Sequence, residues 1–403
     1  MPETDDVSDS ITDKLIAQVN KAVGHDCMIK ASDLPDRGVR HTGSFKLDVA
    51  LGGGYPQRGI CEIYGAPGSY KTTMGYHALA ACQREGQVAA LLDVEQRANQ
   101  QADLRRMCGV DDDKLVIVTL EWAEQYMVAA RELIRQKVGV ILLDSVGALT
   151  SKYWDTHEQD EDEKKVSGTG KVADLAKIVN QFVRIITSAY APEKASDPST
   201  YPDTTLIFLN HLYQGFTTWG KSFDYIVGGK GKEFMALVRI KFQIGEPMVD
   251  VIDGKKTIIG DQVKFNVVKN SVYPKEEGIM SLLHCHTEDN DSVITVDNQN
   301  DLFNQAAYYK FFDASGKTWT FVGVNGEVID LKGKEPSAKQ FVDDNMSFIL
   351  QQVFARARME RTGFMPYTFD VPEAVTVKGE RVSLRVPGMQ GKGREEGEAL
   401  PEV

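Results

Sequence analysis

The sequence predicts an α/β fold whose core is a mostly parallel central sheet buried on both faces, and three observations carry that reading. Short β-branched runs at residues 59–64, 88–93, 115–120, 138–144, 205–210 and 237–244 alternate with longer amphipathic stretches, the pattern of strands joined by crossover helices. The first run passes into a glycine-rich turn, Gly65 to Thr72, that opens a helix. The chain's 403 residues at 42% hydrophobic content are enough for two or three core-forming domains of ~100–200 residues each.

In chain order, residues 1–40 form an arm. Its helix over 11–23 sets Ile11, Leu15, Ile16, Val19 and Val23 on one face, with Ser10 as N-cap and Gly24 just past its end. That face docks either on its own domain or on another subunit. Residues 41–278 are the α/β core. Two stretches interrupt it: 154–171, rich in Asp, Glu, Gly and Ser, and 211–232, rich in Gly, Thr and aromatics. Both read as loops hanging from the sheet. The insertion 191–203, with Pro192, Pro198 and Pro202, reads as a long helix-to-strand connection. Residues 279–363 form a small α+β domain, and the Pro- and charge-rich 364–403 a flexible tail.

Composition excludes several classes. Lys plus Arg total 46 against 58 Asp plus Glu, a net charge of -12, so no whole-molecule basic field draws nucleic acid or membrane, and any DNA contact needs a local positive surface. Cys27, Cys61, Cys82, Cys108 and Cys285 are scattered without C-x-x-C spacing, against a disulfide framework or structural zinc and in favour of reduced thiols in a cytoplasm. Glu3, Asp5, Asp6 and Asp9 stand where a signal peptide needs basic and then apolar residues. The longest apolar runs, such as 138–143, fall far short of the ~20 residues that span a bilayer.

The turn Gly65-Ala66-Pro67-Gly68-Ser69-Tyr70-Lys71-Thr72 follows a strand and opens a helix from Thr73 to Arg84, closed by Gly86. A polyphosphate site needs that context: backbone N–H groups at a helix N-terminus, a lysine for the outer phosphates and a hydroxyl for magnesium. Lys71 and Thr72 fill the last two roles. Tyr70 departs from the pattern, which has glycine before the lysine; at positive φ a tyrosine is strained by roughly 1 kcal/mol or more. The run 138–144 ends in Asp144, about 70 residues on, delivering a carboxylate to the sheet edge where phosphates and magnesium sit. Ser145 either assists metal-bound water or is a structural hydroxyl. The run 88–93 leads to Asp93 and Glu95; Glu95 lies farther out and is the better candidate to activate water, while Asp93 reads as a strand-end cap. His284-Cys285-His286 lacks a fourth ligand and reads as core packing.

With these residues in place, the chain resembles the RecA recombinase family, particularly its phage (T4-type UvsX-like) branch, over residues 43–275. The most specific stretch is Leu47-Asp-Val-Ala-Leu-Gly-Gly-Gly-Tyr-Pro-Gln-Arg-Gly-Ile-Cys-Glu-Ile-Tyr-Gly65. Asp93-Val-Glu95, Leu143-Asp-Ser-Val-Gly-Ala-Leu-Thr150 and Leu206-Ile-Phe-Leu-Asn210 follow in the family's order. The resemblance implies a RecA-like P-loop ATPase core that binds ATP and Mg2+, with Glu95 as catalytic base and Asp144 completing the magnesium site. Asn210-His211 matches the pair that senses γ-phosphate; RecA has Gln at the second place and the phage branch His, and that branch also tolerates an aromatic at Tyr70. Val268-Lys269-Asn270 resembles the segment whose lysine reaches a neighbour's ATP, with Ser271 where RecA has a second lysine and Lys275 as a possible helper. Phe234 matches an interface residue.

For DNA the resemblance implies two loops, about 152–171 and 211–232. Lys152 begins the first, and Lys177 and Arg184 match basic positions on a nearby helix. Asp155, Glu158, Asp160, Glu161, Asp162 and Glu163 either face away from the primary strand, help release displaced strand, or form a solvated insertion. From Asn210 to Phe242 five basic residues face two acids, a surplus of +3, placing Lys221, Lys230 and Lys232 near the backbone. Phe216, Trp219 and Tyr225 either stack on bases or pack the loop. The implied activity is a DNA-dependent ATPase that forms helical filaments on single-stranded DNA and pairs it with homologous duplex, served by single-strand-binding and loader proteins. Residues 302–311, 319–321 and 339–356 loosely match RecA's carboxyl-terminal domain. Two rivals share the core: a hexameric helicase, which usually carries a primase-interacting domain where this chain has only about 40 residues, and a regulatory paralogue without strand exchange.

Overall fold

The computed structural model describes residues 5–152, 168–216, 220–252, 254–286, 292–362 and 374–383. The chain divides into two compact units, Met1–Asn298 and Gln299–Val403. The first unit opens with helix α1 (Asp5–Val23), then β1 (Val39–Arg40), α2 (Phe45–Leu51), β2 (Tyr55–Pro56), β3 (Gly59–Gly65), α3 (Lys71–Arg84), β4 (Ala89–Asp93), α4 (Ala102–Met107), β5 (Leu115–Val118), α5 (Ala123–Arg135) and β6 (Val140–Asp144). It continues with α6 (Gly168–Ala189), β7 (Thr205–Phe216), β8 (Ser222–Ile226), α7 (Gly231–Met235), β9 (Val238–Ile252), β10 (Lys255–Asn270), β11 (Glu277–His286) and β12 (Ser292–Val296).

The main sheet runs β12-β11-β10-β9-β3-β7-β6-β4-β5, with β8 on β7. From β9 to β5 neighbouring strands are parallel, while β9 through β12 form an antiparallel wing. The expected mostly parallel core is therefore present. Its strands β3, β4 and β6 are buried at every residue, and their side chains divide by alternation. Cys61, Ile63, Leu91, Leu142 and Leu209 join α3 in one core; Ile60, Leu92, Ile141, Leu143 and Phe208 join α5 and α6 in the other. Tyr126, Met127, Ala130 and Ile134 of α5 supply the facing stripe, at the spacing that keeps one helical side inward.

The structure departs from several expectations. Helix α1 begins at Asp5, so Ser10 lies inside it, while Gly24 takes a positive φ of 84° after its end. The expected loop 211–232 is largely regular where it is described: β7 runs on to Phe216 and pairs antiparallel with β8, and α7 begins at Gly231, while 217–219 lie outside the described residues. The Gly and Thr content suggested a loop, but the period-two aromatics Tyr213, Phe223 and Tyr225 favour strands. The sheet continues through β11 and β12 to Val296, so the first unit extends past 278 to Asn298. His284 and Cys285, read as core, are exposed near the end of β11. Residues 153–167, with Trp154 and the acidic run, lie outside the described residues.

The second unit, taken by itself, holds most of α8 (Asn298–Tyr308), the small sheet β13 (Phe312–Asp313), β14 (Thr320–Val322) and β15 (Val328–Asp330), and helices α9 (Glu335–Asp344) and α10 (Met346–Thr362). Phe311, Phe321, Phe341 and Phe348 pack together at its centre. Within the expected tail, β16 (Ala374–Val377) pairs with β17 (Glu380–Ser383). Among the described residues no helix is long and apolar enough to cross a membrane.

Candidate nucleotide and DNA site

Strand β3 ends at Gly65, beside Phe242 of β9 and His211 of β7. A β-carbon at Gly65 would lie 2.4 Å from the Phe242 carbonyl oxygen, so only glycine admits this approach. The chain then turns through Gly68, at φ +77°, a conformation natural to glycine. The Lys71 ammonium donates to the Ala66 carbonyl at 2.7 Å and lies 3.5 Å from Ser69 Oγ. Burial lowers its pKa, opposed by the charges of Asp144 and Glu95. Tyr70, the N-cap of α3, adopts the left-handed region at φ 62°, ψ 20°, and its hydroxyl donates to Asp261 of β10.

At the next two strand ends the acids collect. Thr72 Oγ1 donates to Asp144 Oδ2 at 3.0 Å; burial, then the charge of Glu95, pushes the Asp144 pKa up to about 6. Glu95 Oε1 accepts from Ser145 Oγ at 2.6 Å and lies 3.1 Å from His211 Nε2, while Oε2 pairs with Arg97 at 3.0 Å. The His211 contact chiefly, then Ser145 and Arg97, outweighs burial and holds the Glu95 carboxyl down at about 2. Ser145 is thus a partner of Glu95. Asp93 accepts from the backbone N–H of Arg97 and of Ala98, both at 2.9 Å, the expected strand-end cap.

Thr72 and Asp144 together offer a hydroxyl and a carboxylate at the N-terminus of α3. Hard oxygens in this number suit magnesium, which keeps most of its waters and takes substrate phosphates as ligands. Among the described residues no group of three or more His, Cys, Asp or Glu could hold a metal.

Strand β7 links this site to the hairpin. Asn210 donates to Glu62 Oε1 at 2.9 Å and to the Val227 carbonyl at 3.0 Å, and its Oδ1 accepts from the His211 N–H at 2.9 Å. Past His211 an aromatic strip opens: His211 lies edge-on to Tyr213 at 6.2 Å, Tyr213 stacks on Tyr225 at 5.6 Å, and Phe223 tilts against Tyr225 at 6.0 Å. Tyr213, Phe223 and Tyr225 are exposed. Only Tyr225 was anticipated; alternation along the two strands was the signal for the others. Trp219 and the Phe216 side chain lie outside the described residues.

Of the expected basic contacts, Lys152, Lys177, Arg184, Lys221 and Lys230 are exposed, and Lys177 pairs with Asp174 at 2.8 Å. Lys232 is a correction. It is 0% exposed and pairs with Glu62 Oε1 at 2.6 Å, because α7 turns it into the core, so it cannot meet a phosphate. Arg239 pairs with Glu62 Oε2 at 2.7 Å and with Glu233 at 3.3 Å. The Lys269 ammonium donates to the carbonyls of Glu233 and Phe234 at 2.9 and 2.8 Å. Phe234 is 76% exposed, and Lys275 is exposed.

A parallel α/β sheet with a phosphate loop after one strand, an acid ending another and a carboxylate–histidine pair between them defines a nucleotide-hydrolysing P-loop protein. The family profile described as RecA N-terminal domain matches residues 10–285. Protein RecA of Petrotoga mobilis is 26% identical over 381 residues, covering 93% of this chain and 95% of that protein. Protein RecA of Acidothermus cellulolyticus is 29% identical over 367 residues (90% and 95%), and that of Nocardia farcinica 30% over 342 (84% and 88%). The chain belongs to the RecA family. It is a RecA-type recombinase and DNA-dependent ATPase, which binds ATP and DNA and assembles with copies of itself.

Proposed function

We propose that ATP hydrolysis at Glu95 controls this chain's grip on single-stranded DNA through strand β7, within a helical filament that pairs the strand with homologous duplex. One observation carries the reading: β7 bears His211 against Glu95 at one point and the aromatic strip Tyr213–Tyr225 immediately beyond it. Backbone N–H groups of the 65–73 loop, Pro67 excepted, and the Lys71 ammonium hold the phosphates. Magnesium on Thr72 and Asp144 would supply charge neutralisation at the transferring phosphoryl group. Glu95 accepts a hydrogen bond from the attacking water and takes its proton as the water oxygen bonds to the γ-phosphorus and the bond from that phosphorus to the β,γ-bridging oxygen breaks, with ADP as the leaving group. His211 contacts that carboxylate at 3.1 Å; a turn of His211 toward a γ-phosphate would free it and draw on the hairpin root.

Bases stack on Tyr213, Phe223 and Tyr225, while Lys152, Lys177, Arg184, Lys221 and Lys230 meet the backbone. Lys269, helped by Lys275, reaches a neighbour's nucleotide next to Phe234. Tyr70 and His211 support the phage branch, and the family resemblance supports a cytoplasm of a bacterial or phage-infected cell and single-strand-binding and loader proteins as partners.

Strand exchange with ATP, followed by electron microscopy, tests this. Joint molecules and open filaments are expected; closed rings without joint molecules would point to a helicase, and DNA binding without exchange to a regulatory role. Lys71→Ala should lose ATP binding and ATP-dependent assembly together, read by a fluorescent ATP analogue and light scattering. Tyr225→Ala should weaken single-stranded DNA about 5- to 100-fold, since one base–aromatic stack contributes roughly 1–3 kcal/mol. Fluorescence anisotropy at fixed salt measures it, and unchanged affinity would remove the strip from the DNA path.

A further inference from the structure

The phosphate loop places a tyrosine where the motif has glycine, in a conformation that side chains other than glycine rarely adopt. Tyr70 stands at φ 62°, ψ 20° directly before Lys71. What offsets the strain lies on the antiparallel wing. The Tyr70 hydroxyl donates to Oδ2 of Asp261, 191 residues away on β10. Its ring packs at the edge of the α3-side core and tilts at 56° against His284 of β11, with centroids 6.5 Å apart.

Asp261 is at an irregular place in its strand. Pairing of β10 with β9 slips between Asp261 and Val263, and again between Ile258 and Gly260, while Asp261 stays in register with Leu282 of β11. Bulges beside active sites bend a strand and re-aim a side chain. Burial first, and then the hydrogen bond to Asp261, raise the Tyr70 pKa, so the phenol stays a donor at neutral pH.

We propose that Asp261 is a positioning residue for nucleotide binding: it clasps the Tyr70 hydroxyl and thereby holds the phosphate loop in the left-handed turn that glycine adopts unaided. The clasp replaces backbone freedom with a side-chain tether. It acts on the loop that meets the phosphates and leaves Glu95, Thr72 and Asp144 untouched, so its loss weakens ATP binding without slowing the chemical step. The inference rests on Gly65–Thr72 being the phosphate loop, a reading that Lys71→Ala tests separately. ATP binding undiminished in Lys71→Ala overturns the loop assignment; binding lost there but unaffected by breaking the clasp overturns the clasp alone.

The experiment is a mutant cycle on the full chain, with KM and kcat of DNA-dependent ATP hydrolysis and the Kd of a fluorescent ATP analogue as readouts. Tyr70→Phe and Asp261→Ala should each raise KM and Kd about 5- to 10-fold with kcat within twofold. The double variant should be no worse than either single one, and Asp261→Asn, which keeps an acceptor oxygen, should stay near wild type. Tyr70→Gly combined with Asp261→Ala should restore binding, because glycine needs no tether. Additive losses, a fall in kcat at constant KM, or no rescue by glycine overturn the proposal. Should Asp261→Ala fail to fold, Tyr70→Phe and Tyr70→Gly decide it: the clasp requires that Phe bind ATP more weakly than Gly.

Discussion

Glu95→Gln should lower DNA-stimulated ATP turnover by about 100- to 10,000-fold, the usual worth of a positioned general base, while ATP still binds. Glutamine keeps the shape of the side chain and an oxygen for Ser145, which donates at 2.6 Å in the native protein. What it removes is the negative charge that His211 and Arg97 face and the capacity to accept a proton from water. Binding should survive because the proposed phosphate contacts belong to the loop at 65–73, on a different strand end. Filaments assembled with ATP should therefore persist, since the contacts that depend on γ-phosphate are no longer removed. Phosphate release measured against filament lifetime separates the two effects, and hydrolysis at the wild-type rate would reject Glu95 as the base. The contact with His211 chiefly holds this carboxyl down at about 2, so the group is ionised at neutral pH.

How far the site could be read from residues alone depended on sequence distance. The phosphate loop, Asp144 and Glu95 were legible because each lies at the end of an apolar strand, and parallel strands bring such ends to one edge. The role of Asp93 followed from the same alternation. The fate of Lys232 did not: a lysine in a glycine-rich basic stretch reads as exposed, and only a partner 170 residues earlier, Glu62, explains its burial. Asp261 was invisible for the same reason, since its contact with Tyr70 spans the sheet. The hairpin 211–226 was obscured by composition, although its alternating aromatics carried the strand signal. Long-range polar pairs leave no local pattern, whereas periodic apolar burial does.

Glu62→Gln should destabilise the fold by about 3–5 kcal/mol, the range for removing one partner from a buried ion pair. Glu62 is 0% exposed and faces Lys232, also 0% exposed, and Arg239 at 8%. Burial drives its pKa up, and the charges of Lys232 and Arg239 with the hydrogen bond from Asn210 more than reverse it, so the net shift is down and the group is ionised. Glutamine preserves an oxygen for Asn210 but leaves the buried Lys232 without its counter-charge and Arg239 with Glu233 alone. Urea unfolding followed by circular dichroism measures the loss. Adding Lys232→Met should recover a good part of it, because a lysine whose partner is gone costs more than a thioether of similar length. Additive losses in the double variant, or a single-variant loss below about 1 kcal/mol, a value more typical of an exposed pair, would show that this pair is not desolvated as the structure has it. Activity provides the second arm of the same test. Asn210 bridges Glu62 to the His211 N–H, so Lys232→Met with Glu62 intact, which leaves that buried carboxylate only Arg239 as a cation, should lower the unfolding midpoint and also disturb the coupling of hydrolysis to DNA. The ratio of DNA-stimulated to basal turnover would fall together with the midpoint.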